Sequence, residues 1–202
     1  DTFAADVLNV GAEPTFLLGA DGDTSFDVCV PDSVNVDLNI GSLQEFSEPV
    51  TLSAPAAPAG FVVNFGTNPV VPGSTSSATV TLGGTVASGD YMFDIVGSAA
   101  GVDDRAVGLN FNATDSVPGL AGLTSPANGA NDQALMPLLT WTDASQAGSY
   151  QVQVATDAGF TNLVDLGVTD TNSYMVAAAL ETETQYFWRV RATNAGGASD
   201  WT

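Results

Sequence analysis

Histidine and lysine are both missing from this chain of 202 residues. Without histidine there is no Ser-His-Asp triad, no Cys-His nucleophile pair and no HExxH zinc site. Without lysine there is no P-loop, no Ser-Lys dyad and no Schiff-base amine. The single cysteine, Cys29, excludes an internal disulfide, and its place in FDVCV reads as a structural strand residue. Carboxylate-only catalysis survives these absences, but neither Asp-Thr-Gly nor Asp-Ser-Gly occurs, and aspartates scattered over strands and loops define no acid–base pair. No catalysis is expected of the chain. No apolar run approaches the roughly 18 residues of a membrane span.

Positive charge is nearly absent as well. Arg105, Arg189 and Arg191 face 23 acidic residues, for a formal net charge of −20. Such a surface repels phosphate backbones and anionic lipid headgroups, so neither nucleic acid nor a membrane is an expected partner. A dense acidic coat reads first as hydration, of the kind that suits an exported protein in a salty habitat. The chain opens on Asp1-Thr2-Phe3 without a basic segment followed by an apolar one, so a secretory signal is expected in a longer precursor.

What the sequence does contain is alternation with period two, punctuated by turn residues every eight to twelve positions, which predicts an all-β fold. In VNVDLNI, Val34, Val36, Leu38 and Ile40 are expected to face a core while Asn35, Asp37 and Asn39 face water. The pattern recurs at Phe61, Val63 and Phe65, at Ala78, Val80 and Leu82, at Tyr91, Phe93 and Ile95, and at Val107, Leu109 and Phe111. Segments such as VPGSTSS and ASGD supply the reversals between them. Alternation stops near NATDSVPGL, residues 112–120, which places a domain boundary there, with domains at 1–115 and 116–202. A second strand set follows, carried by Leu139 and Trp141, by Tyr150, Val152 and Val154, and by Tyr186, Trp188, Val190 and Ala192. The expected architecture is two tandem antiparallel β-sandwiches, with the large aromatics filling the roughly 10 Å between sheets.

The second half resembles a fibronectin type III domain of the kind common in bacterial secreted proteins. The resemblance is carried by Trp141, by YQVQVATDAGFTNLV and by LETETQYFWRVRATNAGGASDWT. It implies a tyrosine corner built from Leu180 and Tyr186, in which the ring is buried and the hydroxyl bonds the backbone. It also implies a last strand beginning where GGASDWT stops, so the domain is expected to lack that strand and to leave an edge open to pairing. Residues 14 to 113 look like the Ig-like module found in bacterial secreted peptidases of the subtilisin-like or zinc-metallopeptidase kind, and in adhesins. The carrying segment runs from SEPVTLSAPAAPAGFVVNF through NPVVPGSTSSATVTL to GDYMFDIVGSA.

One constellation suggests a metal. In GADGDTSFD, Asp21, Asp23 and Asp27 surround Gly22 and supply hard oxygen ligands of the type calcium takes, although the EF-hand spacing and its twelfth-position glutamate are missing. The alternative is a solvated turn before a strand, with no cofactor at all. Asp103 and Asp104 beside Arg105 read as a polar hairpin tip with a local ion pair, and the Asn112-Ala113-Thr114 sequon as coincidence. Phe187 is expected to alternate outward and Trp201 to sit near the surface, where either would pack on a neighbouring domain or stack on a sugar ring. The expected role is a non-catalytic accessory or spacer region of a larger secreted or cell-surface protein. Its partners would be neighbouring domains, and the competing role is binding of a polymer, carbohydrate or protein surface.

Overall fold

A computed structural model describes residues 13–202; residues 1–12, including the Asp1-Thr2-Phe3 opening, lie outside the described part. Every regular element among the described residues is a β-strand. The chain divides into two compact units, one containing 13–26, 33–83 and 91–111, the other 27–32, 84–90 and 112–202. The second unit thus takes in two short segments that precede residue 116. One of them is tied in by the Val30 N–H, which donates to the Thr114 carbonyl at 2.8 Å.

The first eight strands are β1 (Thr15–Asp21), β2 (Ser25–Cys29), β3 (Asp32–Leu43), β4 (Thr51–Ser53), β5 (Phe61–Phe65), β6 (Ser74–Leu82), β7 (Gly89–Ser98) and β8 (Arg105–Thr114). They form two four-stranded sheets, ordered β1-β3-β6-β5 and β2-β8-β7-β4. Alternation dictates which side chains leave water: Val36, Leu38 and Ile40 of β3 and Ala78, Val80 and Leu82 of β6 are buried, as are Phe93, Ile95, Leu109 and Phe111 on the other sheet. Phe61 of β5 bridges the gap, with ring centroids 5.9 Å from Phe93 and 5.5 Å from Phe111. Val34, Val63, Phe65, Tyr91 and Val107, read as core from alternation, are only half-buried. Val34, Tyr91 and Val107 stand near strand starts, and Val63 and Phe65 lie on the edge strand β5, where one neighbour is missing.

The remaining strands are β9 (Leu123–Ser125), β10 (Leu138–Trp141), β11 (Ser149–Ala155), β12 (Leu163–Thr169), β13 (Ser173–Met175), β14 (Phe187–Asn194) and β15 (Gly197–Ala198). They make a three-stranded sheet, β13-β10-β9, and a four-stranded one, β12-β11-β14-β15. Leu139 and Trp141 meet Tyr150, Val152, Val154, Val190 and Ala192 in one buried cluster, against which Leu180, Tyr186 and Trp188 pack partly exposed. The tyrosine corner is present: the Tyr186 hydroxyl accepts from the Glu181 N–H at 2.9 Å. A second tyrosine does the same work unannounced by the sequence, since the Tyr150 hydroxyl accepts from the Ala144 N–H at 3.0 Å and its ring lies 5.4 Å from that of Trp141. All-β architecture built from antiparallel sheets is therefore what the sequence periodicity predicts and what the chain adopts.

Candidate functional site

The second unit carries a face unlike any other among the described residues. Burial of Tyr150, Val152 and Val154 turns Gln151 and Gln153 to the opposite side of β11. Register then sets Gln151 between Val168 and Arg191, and Gln153 between Leu166 and Arg189. Arg189 donates from Nε and Nη2 to Gln153 Oε1 at 2.9 and 2.6 Å, and Arg191 donates from Nε to Gln151 Oε1 at 2.9 Å. Each guanidinium is thereby tied to its cross-strand glutamine on β11. Arg189 lies 4.0 Å from the Phe160 ring centroid and 4.3 Å from that of Trp201, which Arg191 shares at 4.6 Å. Such contacts draw the cation to the electron-rich ring face.

Backbone geometry delivers both rings. The Ser199 N–H donates to the Ala192 carbonyl at 2.9 Å and the Thr202 N–H to the Val190 carbonyl at 3.1 Å, so the segment after β15 runs back along β14 and carries Trp201 over its arginines. Phe160 sits in a tight turn at φ 53°, organised by Asp157. That carboxylate accepts from the N–H groups of Thr161, Asn162 and Gly159 at 3.1, 2.7 and 3.1 Å. The backbone donors of Thr161 and then Asn162 hold the Asp157 carboxyl below its ordinary value. No carboxylate occupies an outward position on β11, β12 or β14, and among the described residues neither arginine forms an ion pair. Leu166 and Val168 complete the face, 66% and 67% exposed. The arrangement has no nucleophile or base; it can bind carboxylates and apolar surface.

The same unit also holds an open cleft of about 1110 Å³, lined by core residues Leu139, Val154 and Val176, by Phe187 and Trp188, and by polar loop residues such as Gln133. Phe187, expected to point outward, is half-buried at this cleft, and Trp201 is half-buried beside its arginines.

The sequence-proposed metal residues are placed as follows. Asp21 ends β1 opposite Asp37 of β3, Asp23 lies in the turn that follows, and Asp27 lies on β2. Asp27 Oδ1 accepts from Asn112 Nδ2 at 2.9 Å. Among the described residues no three carboxylate, thiol or imidazole groups gather into a group suited to a metal. Arg105, expected to pair with Asp103 and Asp104, instead donates from Nη2 to Thr15 Oγ1 at 3.4 Å. Cys29 is a free, half-buried thiol on β2. The arginine face was missed in sequence; the legible part of its signal was that two of only three cations, Arg189 and Arg191, stand two residues apart on one strand, while their pairing with Gln151 and Gln153 comes from register.

A family model described as the Rha78A-like N-terminal immunoglobulin domain matches residues 133–202, within the second unit. Among solved structures the chain is similar to the fibronectin(III)-like modules of Clostridium thermocellum CbhA, at 13% identity and TM-score 0.46 over 92% of this chain and 90% of that one. It is also similar to domains 4 and 5 of the S-layer protein SbsC, at 16% identity and TM-score 0.37 over 52% of this chain, spanning 55% of that one. Among curated proteins, none matches the chain in sequence. The family match says immunoglobulin where the residues resemble fibronectin type III; the two share the sandwich architecture.

Proposed function

We propose that this chain is a non-catalytic accessory region of a larger exported protein, a module pair that spaces and positions a domain encoded elsewhere, with a secreted peptidase as the parent class. The observation that carries the reading is the residue inventory: across 202 residues there is no histidine and no lysine, so the usual nucleophile–base pairs cannot be assembled on either sandwich. The acidic coat fits the same role, since it keeps an extended exported protein hydrated and free of anionic surfaces. Extracellular or cell-surface localisation belongs to this proposal. The test is joint. The purified chain should hydrolyse no peptide or glycoside substrate and should show no saturable retention on collagen or chitin; turnover by the chain alone, abolished by a carboxylate substitution, would overturn it.

A polymer-binding role is the second reading, favoured by the open cleft, where Phe187 and Trp188 stand beside amide and hydroxyl groups. Aromatic faces with nearby polar groups are the usual means of holding an apolar yet hydrogen-bonding ligand. Saturable retention lost in Phe187→Ala would establish this role and displace the passive spacer.

A further inference from the structure

The arginine face has a counterpart on the first unit. Burial of Val36, Leu38 and Ile40 turns Asp37 and Asn39 outward on β3, and register sets Asp21 of β1 directly across from Asp37. Like charges directly opposed on a sheet are unfavourable, and both carboxylates are exposed without an ion pair among the described residues. Leu17 of β1 projects from the same side, 51% exposed. One unit thus offers two adjacent carboxylates with an aliphatic neighbour, and the other offers two adjacent guanidiniums with Leu166 and Val168.

The dimensions agree. Arg189 and Arg191, two residues apart on a strand, are separated by about 7 Å, and a directly opposed cross-strand pair by about 5 Å, within the reach of the four side chains. Leu166 and Val168 stand two strands from the arginines, about 10 Å, while Leu17 stands four residues from Asp21, about 13 Å. Beyond the bonds to Gln151 and Gln153 and the Trp201 and Phe160 contacts, the guanidinium N–H groups have no acceptor among the described residues. Preoriented guanidiniums with spare donors are suited to carboxylates.

We propose that the β12-β11-β14 face of one copy docks on the β1-β3 face of a second copy of this chain, Arg189 and Arg191 against Asp21 and Asp37. The occupant is a second copy because this chain carries both complementary halves. The contact is heterologous: each contact uses one half from each copy, so association continues beyond a pair until the copies close into a ring or run on as an open chain. Two bodies of net charge −20 repel at long range. The Debye length falls from about 30 Å at 0.01 M salt to about 8 Å at 0.15 M, so moderate salt removes the repulsion between bodies while leaving the close contact. This inference stands apart from the accessory-module reading, since either role is compatible with a monomer or a chain.

The experiment is sedimentation velocity on the 202-residue chain up to about 1 mM. Weight-average mass is expected to rise with concentration at 0.15 M salt and to stay at 20.5 kDa at 0.01 M. Asp37→Arg breaks the acidic half and Leu166→Glu the cationic half, both at exposed positions that leave the arginine stack intact. Each variant alone should remain at 20.5 kDa, and an equal mixture should form pairs and stop there, because only one intact contact is available. A wild type that stays monomeric at 1 mM and 0.15 M salt overturns the proposal. So does association that survives either substitution.

Discussion

The Tyr186 hydroxyl and the Glu181 N–H are joined at 2.9 Å, closing the turn that leads into β14. The ring is packed against the core of the second unit while the oxygen satisfies a backbone donor. Tyr186→Phe keeps the ring and removes the acceptor, so it should cost about 1 kcal/mol. Tyr150→Phe, which loses the bond from the Ala144 N–H in a more buried place, should cost at least as much. Urea unfolding of the two variants checks the order, and a Tyr186→Phe protein as stable as wild type would remove the corner's energetic role.

Gly167 of β12 lies under the ring of Tyr174, where an added Cβ would collide with the ring. Tyr174 cannot simply swing away, because its hydroxyl donates to Asp165 Oδ1 at 3.1 Å and Asp165 Oδ2 accepts from the Ala177 N–H at 2.7 Å. Gly167→Ala is therefore expected to destabilise by about 1 to 3 kcal/mol, the usual cost of overpacking. Adding Tyr174→Ala should cancel most of that loss in a double-mutant cycle. An additive pair would show that the two positions do not meet.

Asp157 is held as a carboxylate by backbone N–H groups of its own turn, so its folded pKa lies below the ordinary 3.8. A lowered folded value means that the stabilisation is fully present above the unfolded pKa and is lost as pH falls through the folded one. The stability difference between wild type and Asp157→Asn should accordingly be constant at neutral pH and shrink below about pH 3.8. A difference that stayed constant down to pH 2 would mean that the charge contributes nothing.

Trp201 binds the last described segment to β14 through two arginines. Trp201→Ala removes both contacts and the covered apolar area, for an expected loss of about 2 kcal/mol. Amide exchange at Ser199 and Thr202 should accelerate more than at Val190, whose strand is held on its other side by β11. Equal acceleration at all three would assign the effect to global unfolding.

Asp21 faces Asp37 across β1 and β3, so Asp37→Asn should raise stability by a few tenths of a kcal/mol at low salt, and less at 1 M salt. Calcium should raise the melting temperature no more than magnesium does, since among the described residues Asp21, Asp23 and Asp27 do not gather into a group suited to a metal. A calcium-specific rise abolished by Asp21→Ala and Asp23→Ala would instead place a cation in that loop.

Sequence alone determined most of the buried rows, because alternation is local, and the resemblance of the second half to fibronectin type III domains implied the tyrosine corner that Leu180 and Tyr186 supply. Period-two patterning says which side of a strand leaves water, and Val36, Leu38, Ile40, Val152 and Val190 obey it in the middle of strands flanked on both sides, whereas Val34, Tyr91 and Val107, near the starts of such strands, stay half-buried. It could not say which strand would lie at an edge, and for that reason Val63 and Phe65 read as core yet remain half-exposed. Only tertiary structure decided the partners of the outward residues. Strand register across some 40 residues of chain brings Gln153 to Arg189, the return along β14 brings Trp201 to both arginines, and the β1–β3 register sets Asp21 against Asp37. Such pairings depend on register between distant segments, which composition and spacing do not encode.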